Sequence, residues 1–294
     1  LKKNADTIRR IGLIGNSEKV SRAHVVRRAA QLIRRAGRAV FCDAATARVA
    51  SLRCPAFADV ASLAREVDLL LVFGGDGTLL RVARDIAGSS TPVLGVNIGG
   101  LGFLTGVRSD ELAPALKCLW AGAFRYESRA LIEVSGRCNG KQIRETALND
   151  VVVSRGAVSR LISLDVSVDG ELITRYRCDG LIISSPTGST AYSLSAGGAV
   201  VLPTAEVFAM TPVCPHALSN RSIILPLSSK ILIHALSPLH STIVSADGQV
   251  VGELDTGEEV IIRRSRRAIR LVHLEGNSFL EALRRKLQWR GTYL

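Results

Sequence analysis

The chain is predicted to hold two domains, an N-terminal α/β domain built on a parallel, Rossmann-like sheet and an all-β C-terminal domain. Three observations carry this. Strand and helix patterns alternate up to about residue 123, apolar residues then recur with a period of two, and the apolar run 69–73 ends in the turn Gly74-Gly75-Asp76-Gly77-Thr78.

Residues 11–14 read as the first strand, 18–36 as a helix stopped by Gly37, and 39–42 as a second strand. The pattern repeats with a helical stretch over 58–67, the strand 69–73, the glycine turn and a helix to about Ala87. A strand over 93–96 leads into the glycine loop 97–106 and a helix opened by Ser109, Asp110 and Glu111. Such alternation predicts a parallel sheet covered by helices, with ligands bound at the carboxyl ends of its strands. Asp76 lies at such an end.

The second domain is expected over 124–276. Its segments 131–134, 151–153, 161–168, 181–183, 223–225, 231–233, 260–262 and 269–274 are short and rich in β-branched residues. Turns such as Val168-Asp169-Gly170 and Ala246-Asp247-Gly248 separate them. Helical spacing returns over 278–289, so the tail 277–294 is expected to pack back on the first domain.

With 294 residues, 47 % hydrophobic and 22 % charged, the chain is long enough for two cores. No apolar stretch reaches the ~20 residues of a membrane helix, and the start LKKNADTIRR lacks the apolar centre of a secretory signal. A cytoplasmic protein without a membrane partner is expected, its natural start lying upstream of Leu1. The six cysteines are far apart and show no metal-ligand spacing, so they read as reduced core thiols. The net charge of +12 raises the question of nucleic acid. The arginines of 22–38, however, flank an apolar stripe of Val26, Ala29, Ala30 and Ile33, and only 4 % of residues are aromatic. Solvated surface, or a field that attracts anionic substrates, fits better than a nucleic-acid partner.

The glycine turn reads as a phosphate site with a carboxylate at its tip. Gly74, Gly75 and Gly77 are free to adopt positive φ and, with Thr78, to aim backbone N–H groups at an anion beside the start of a helix. There is neither a G-x-x-x-x-G-K-[ST] nor a G-x-G-x-x-G after a strand, which excludes the P-loop and dehydrogenase schemes. Two later segments offer complementary chemistry. Asn149-Asp150 is a turn, an Asx cap, or an amide and carboxylate pair able to hold the two hydroxyls of a ribose. The stretch 186–195 gathers Ser and Thr hydroxyls and a tyrosine, too polar for a strand and suited to surround a base and sugar.

Taken together, GGDGTLLR (74–81), VNIGGLGFLT (96–105), LNDVVVSRG (148–156), CDGLIISSPTGSTAYSLSAGG (178–198), CPHALSNRSI (214–223) and ADGQ (246–249) resemble, in order, the motifs of bacterial-type NAD kinases. The resemblance covers nearly the whole chain. GGDGT alone is shared with diacylglycerol and sphingosine kinases, so a lipid kinase is the nearest alternative; an NAD-binding oxidoreductase and a non-catalytic nucleotide sensor are more distant ones.

The resemblance implies an active site between an α/β and a β domain. The reaction implied is transfer of the terminal phosphoryl of ATP, or of polyphosphate, to the adenosine ribose 2′-hydroxyl of NAD. By position, Asp76 is the implied catalytic carboxylate and Gly77 approaches the ligand. Asn149, Asp150, Asp179, Thr187, Thr190, Ala191, Tyr192, Ser193, Leu194 and Ser195 are implied to bind NAD, with Arg81, Arg160, Arg177 and Gln249 lining it. Similar enzymes form homodimers and homotetramers. Phosphoryl transfer calls for charge neutralisation, so a divalent metal, Mg²⁺, is expected, carried by the donor's phosphates and water without protein ligands of its own.

Overall fold

The computed structural model describes residues 7–15, 23–100, 102–157, 160–217, 220–236, 242–276 and 278–289. It divides into two compact units, Leu1–Ser128 with Ile269–Leu294, and Arg129–Ala268. The sequence places the switch near residue 123 and the return at 277; the chain comes back eight residues sooner, partway along a strand.

In the first unit, strands β1 (Arg10–Gly15), β2 (Ala39–Asp43), β3 (Ala56–Phe57), β4 (Leu69–Gly74) and β5 (Val93–Asn97) form a parallel sheet in the order β3-β2-β1-β4-β5. The two-residue strand β6 (Val107–Arg108) pairs with β5. Strand β4 is buried along its whole length, as expected for the centre of a parallel sheet. Its apolar side chains each contribute about 1.5–3 kcal/mol relative to exposure.

Helix α1 (Ala23–Arg35) buries Val25, Val26, Ala29, Ala30 and Ile33 and turns Arg27, Arg28, Arg34 and Arg35 outward, so these arginines are the polar face of an amphipathic helix. The predicted start of that helix, 18–22, lies outside the described residues. Helix α2 (Ala44–Ala50) has no counterpart in the sequence reading. Seven residues are too few for a clear period, and a local bond from Thr46 N–H to the Asp43 carboxylate starts it. Helices α3 (Val60–Glu66) and α4 (Asp76–Asp85) flank β4 in sequence. The acidic run Ser109–Glu111 forms a 3₁₀ turn, and α5 (Leu112–Ala121) follows it without a side-chain cap.

The second unit contains two sheets. Strands β7 (Phe124–Cys138) and β8 (Lys141–Ala147) form a hairpin, and β9 (Asp150–Arg155) starts the other sheet. Then come β10 (Ile162–Val168), β11 (Glu171–Cys178), β12 (Gly180–Ser184), the short helix α6 (Tyr192–Ser195), β13 (Val207–Val213), β14 (Ile223–Pro226), β15 (Ile231–Ala235), β16 (Thr242–Ala246), β17 (Gln249–Leu254) and β18 (Glu259–Leu274). One sheet contains β11-β10-β15-β18, with the β7–β8 hairpin attached at β18; the other runs β14-β13-β12-β9-β16-β17, antiparallel at every step. A single apolar core, including Leu164, Ile233 and Ile262 from one sheet and Val151, Ile183, Phe208 and Val244 from the other, joins them.

Strand β18 runs unbroken where the sequence suggests two strands parted by Arg263-Arg264-Ser265-Arg266-Arg267. Partners on neighbouring strands and loops hold this polar stretch extended: Arg263 pairs with the buried Glu133 at 2.8 Å, and Arg264 pairs with Glu206. After Ala268 the strand belongs to the first unit, where Leu271 sits beside Val93 of β5. Helix α7 (Phe279–Lys286), capped by the Ser278 hydroxyl, is counted in that unit too.

Candidate functional site

The glycine turn leaves β4 and enters α4, whose first residue is Asp76. The positive φ expected of its glycines is absent: none of Gly74, Gly75 and Gly77 occurs among the left-handed residues, and Gly75 is extended at φ −101° and ψ −172°. Their value here is space. A Cβ on Gly74 would stand 2.2 Å from Thr78 Oγ1, whereas Gly75 and Gly77 meet nothing within 4 Å, an open surface over which a ligand can approach the backbone.

The Asp76 carboxylate is half-buried and aimed by the loop after β5. Its Oδ2 accepts the Phe103 N–H at 2.8 Å and its Oδ1 the Leu104 N–H at 3.1 Å. Asn97 shapes that loop, donating from Nδ2 to Gly100 O at 2.6 Å and Thr105 Oγ1 at 3.0 Å, while its Oδ1 accepts from Gly99 N at 2.6 Å. Gly102 is obligatory, since a Cβ there would lie 2.0 Å from Asp76 Oδ1. Each carboxylate oxygen keeps lone-pair capacity beyond these bonds, so Asp76 can still accept a proton. A cavity of about 390 Å³ beside the loop is lined by Asn97, Ile98, Gly99, Arg108, Ser109, Asp110 and Arg285. Arg108 is held there by Asp110 at 2.7 Å. Arg81, on α4 one turn before Asp85, is half-buried.

In the second unit, Asn149 and Asp150 are fixed by Asp247, which the sequence reading placed in a turn and in the motif ADGQ without giving it a role at the site. Asp247 accepts the N–H groups of Leu148 at 2.9 Å, Asn149 at 2.7 Å and Asp150 at 3.4 Å. It sits in the hairpin turn between β16 and β17, with φ +47° followed by +76° at Gly248, the two-residue geometry that Asp-Gly favours. Burial first, and the nearby Asp247 charge second, push the Asp150 carboxyl up to about 7. The Asn149 amide makes no side-chain hydrogen bond among the described residues.

The segment after β12 is not an open loop. It folds into the 3₁₀ turn Thr187–Thr190 and α6, and many of its hydroxyls are engaged internally. The Ser185 hydroxyl donates to Leu148 O at 2.6 Å and that of Ser189 to Pro186 O at 2.8 Å. Ser193, expected among the ligand-binding side chains, is fully buried, and its Oγ is 3.0 Å from Thr211 Oγ1; its hydroxyl holds the turn. Thr187 is buried, accepting from Arg129 Nη1 at 3.3 Å. Gly188 lets the turn approach Asn149, whose O would be 2.1 Å from a Cβ. Thr190, Ala191 and Leu194 are half-buried; Ser195 is exposed, as is Tyr192, at 48 %. This leaves an aromatic face and small residues exposed on the segment whose Gly188 packs against Asn149.

Asp179 already pairs with Arg155 at 2.9 Å, while Arg177, Arg160 and Gln249 are exposed, Gln249 opposite Ala246 at the start of β17. The structure thus gathers Asn149, Asp150 and the 184–198 segment within one unit, and Asp76 with the glycine turn within the other. Sequence reasoning missed Asn97, Gly102 and Asp247. Their local signals were the glycine loop within VNIGGLGFLT and the Ala246-Asp247-Gly248 turn within ADGQ, neither of which says what the side chains hold.

Family models agree with this arrangement: residues 11–124 match the ATP-NAD kinase N-terminal domain and residues 148–274 the ATP-NAD kinase C-terminal domain. An NAD kinase of Moorella thermoacetica is 41 % identical over 286 residues, covering 97 % of this chain and 91 % of that protein. One of Geobacter sulfurreducens is 45 % identical over 223 residues, covering 76 % and 78 %. Among solved structures, yeast NADH kinase complexed with NADH superposes with a TM-score of 0.88 at 27 % identity, covering 98 % of this chain and 89 % of that one. An NAD kinase from Archaeoglobus fulgidus in complex with ATP gives 0.73 at 25 % identity, covering 96 % and 100 %. Matched in both halves and over most of its length, the chain belongs to the NAD kinase family.

Proposed function

We propose that this chain transfers the terminal phosphoryl group of ATP to the 2′-hydroxyl of the adenosine ribose of NAD, forming NADP, and that Asp76 takes the hydroxyl's proton. The observation that carries the residue assignment is the Asp76 carboxylate, held by two backbone N–H groups at the head of a helix beside an open glycine surface. A secondary alcohol is a poor nucleophile, and a positioned carboxylate that accepts its proton contributes roughly 10²- to 10⁴-fold.

Asn149 and Asp150 hold the ribose hydroxyls, Tyr192 covers the base, and small residues from Thr187 to Ser195 shape the pocket. Arg81, Arg160, Arg177 and Gln249 line the ligand. The cavity beside Gly99, with Arg108 and Arg285 on its wall, receives the donor's phosphates. When bound with the donor, Mg²⁺ would supply neutralisation of the phosphate charge. The ion is taken to be borne by the donor's phosphates and water.

No helix among the described residues is long and apolar enough to cross a membrane. We place the enzyme in the cytoplasm as a homodimer or homotetramer.

The test is NADP formation from NAD, ATP and Mg²⁺ by the purified chain, with Asp76→Asn alongside. The variant is expected to retain NAD binding and lose about 10²- to 10⁴-fold in turnover. Turnover near that of the parent would remove Asp76 from the proton transfer. Phosphorylation of diacylglycerol or sphingosine in place of NAD would overturn the acceptor.

A further inference from the structure

Two cysteines that lie twelve positions apart in the sequence meet in the first unit. Cys42 Sγ and Cys54 Sγ are 3.1 Å apart, both as free thiols. This is the only sulfur–sulfur contact among the described residues. Backbone pairing produces it: Cys42 N–H donates to Pro55 O at 3.2 Å, and Cys42 lies in parallel register with Ala56 where β2 meets β3. The sheet therefore holds the two thiols at high effective concentration. To reach a disulfide length of about 2.05 Å the sulfurs need only close by about 1 Å, within reach of a side-chain rotation at the partly exposed Cys54.

We propose that Cys42 and Cys54 are a reversible oxidation site, a dithiol that a hydroperoxide converts to an intramolecular disulfide and a dithiol reductant restores. This does not depend on the kinase reading. The two sulfurs have different tasks. Cys42 is fully buried, and burial raises its thiol well above the ordinary range, so it is a poor first nucleophile. Cys54 reaches solvent and reacts first. Its thiolate attacks one peroxide oxygen, the O–O bond breaks, and the other oxygen leaves as hydroxide, giving a sulfenic acid. Cys42 sulfur then attacks Cys54 sulfur; the S–O bond breaks and the departing hydroxide takes the Cys42 proton as water. Two thiols lose two electrons and two protons in all, and one peroxide becomes two waters.

The resulting ring encloses α2. Inside it lie Asp43, whose carboxylate starts that helix, and Thr46, whose hydroxyl accepts the Gly15 N–H at 2.7 Å. The disulfide would therefore tie the carboxyl end of β2 to the chain that enters β3, closing a ring around the helix whose Thr46 hydroxyl braces the end of β1, at the edge where parallel sheets of this kind bind ligands.

Peptide mapping tests this directly. Trypsin releases Cys42 in residues 39–48 and Cys54 in residues 54–65. After hydrogen peroxide treatment of the full chain, alkylation under denaturing conditions and digestion, the expected product is these two peptides joined. It should disappear on dithiothreitol treatment and be absent from Cys42→Ser and Cys54→Ser. Closing a ring of about 13 residues should also raise the unfolding midpoint of the oxidised protein by roughly 5 °C. The exposed Cys214 supplies the internal standard for oxidant exposure. Separate alkylation of both thiols at a peroxide dose that oxidises Cys214 overturns the proposal, as does a bridge formed only between other cysteines.

Discussion

Replacing Gly102 by alanine isolates the placement of the carboxylate from its chemistry, since Asp76 itself is left intact. The added Cβ would fall 2.0 Å from Asp76 Oδ1, 2.5 Å from Thr105 Oγ1 and 2.8 Å from Asp76 Cγ. Restoring ordinary contact requires the carboxylate to retreat by about 1 Å or more, and a misplacement of that size costs on the order of 10²-fold in rate. Retreat also strains the bonds from Phe103 N and Leu104 N. A hydrogen bond to a charged group is worth about 1.5–3 kcal/mol, but Asp76 is half-exposed and water can replace part of it. A net loss of about 2 kcal/mol, or roughly 5 °C in midpoint, is expected. Steady-state NADP formation and calorimetric titration of NAD should together show turnover down about 100-fold with NAD affinity nearly unchanged. Turnover within about threefold of the parent, at unchanged stability, would mean that the loop does not aim the carboxylate, and the reasoning from Gly102 would be refuted.

Three further outcomes follow from the geometry. Gly77→Ala should stabilise the fold by about 0.5 kcal/mol, because Gly77 lies in α4 with no left-handed φ and open space around it. The same methyl should raise KM for the nucleotide substrates, and a variant that is both more stable and fully active would remove Gly77 from the ligand surface. Asp247→Ala strips acceptors from three backbone N–H groups, so about 2 kcal/mol of stability and at least roughly tenfold in NAD affinity should be lost, as read by urea unfolding and calorimetry. Finally, burial holds Asp150 protonated up to about pH 7, so the folded chain binds a proton that the unfolded chain releases near pH 4. This contribution to stability is full below about pH 4 and is lost as pH rises through about 7. Asp150→Asn should flatten the urea midpoint across that window; an unchanged profile would contradict the assignment.

Much of the first unit was legible because its signals are local. The run 69–73 is apolar without alternation, as a central parallel strand must be, and α1 shows its stripe directly. Strand β8 was invisible, since KQIRETA is polar and mostly exposed; only pairing with β7 makes it a strand. The break expected between the strands 260–262 and 269–274 failed for the same reason, as Glu133 and Glu206 pair with arginines of the polar run that lies between them. At the candidate site, the carboxylate and the Asn-Asp pair could be picked out by residue type. The groups that orient them could not, because Phe103 and Leu104 contribute only their backbone N–H groups and Asp247 acts across about 97 residues.

By itself the sequence determined the two-domain α/β-plus-β plan, the glycine turn with Asp76, and the motif order that marks the family, because composition, periodicity and spacing are carried by neighbouring residues. Tertiary structure alone decided which oxygen of Asp76 meets which N–H, that Asp247 braces Asn149 and Asp150, that the Ser193 hydroxyl is buried against Thr211 of β13, and that Cys42 touches Cys54. Those contacts join residues distant along the chain, and hydrogen-bond direction and burial are properties of where strands and loops come to rest beside one another.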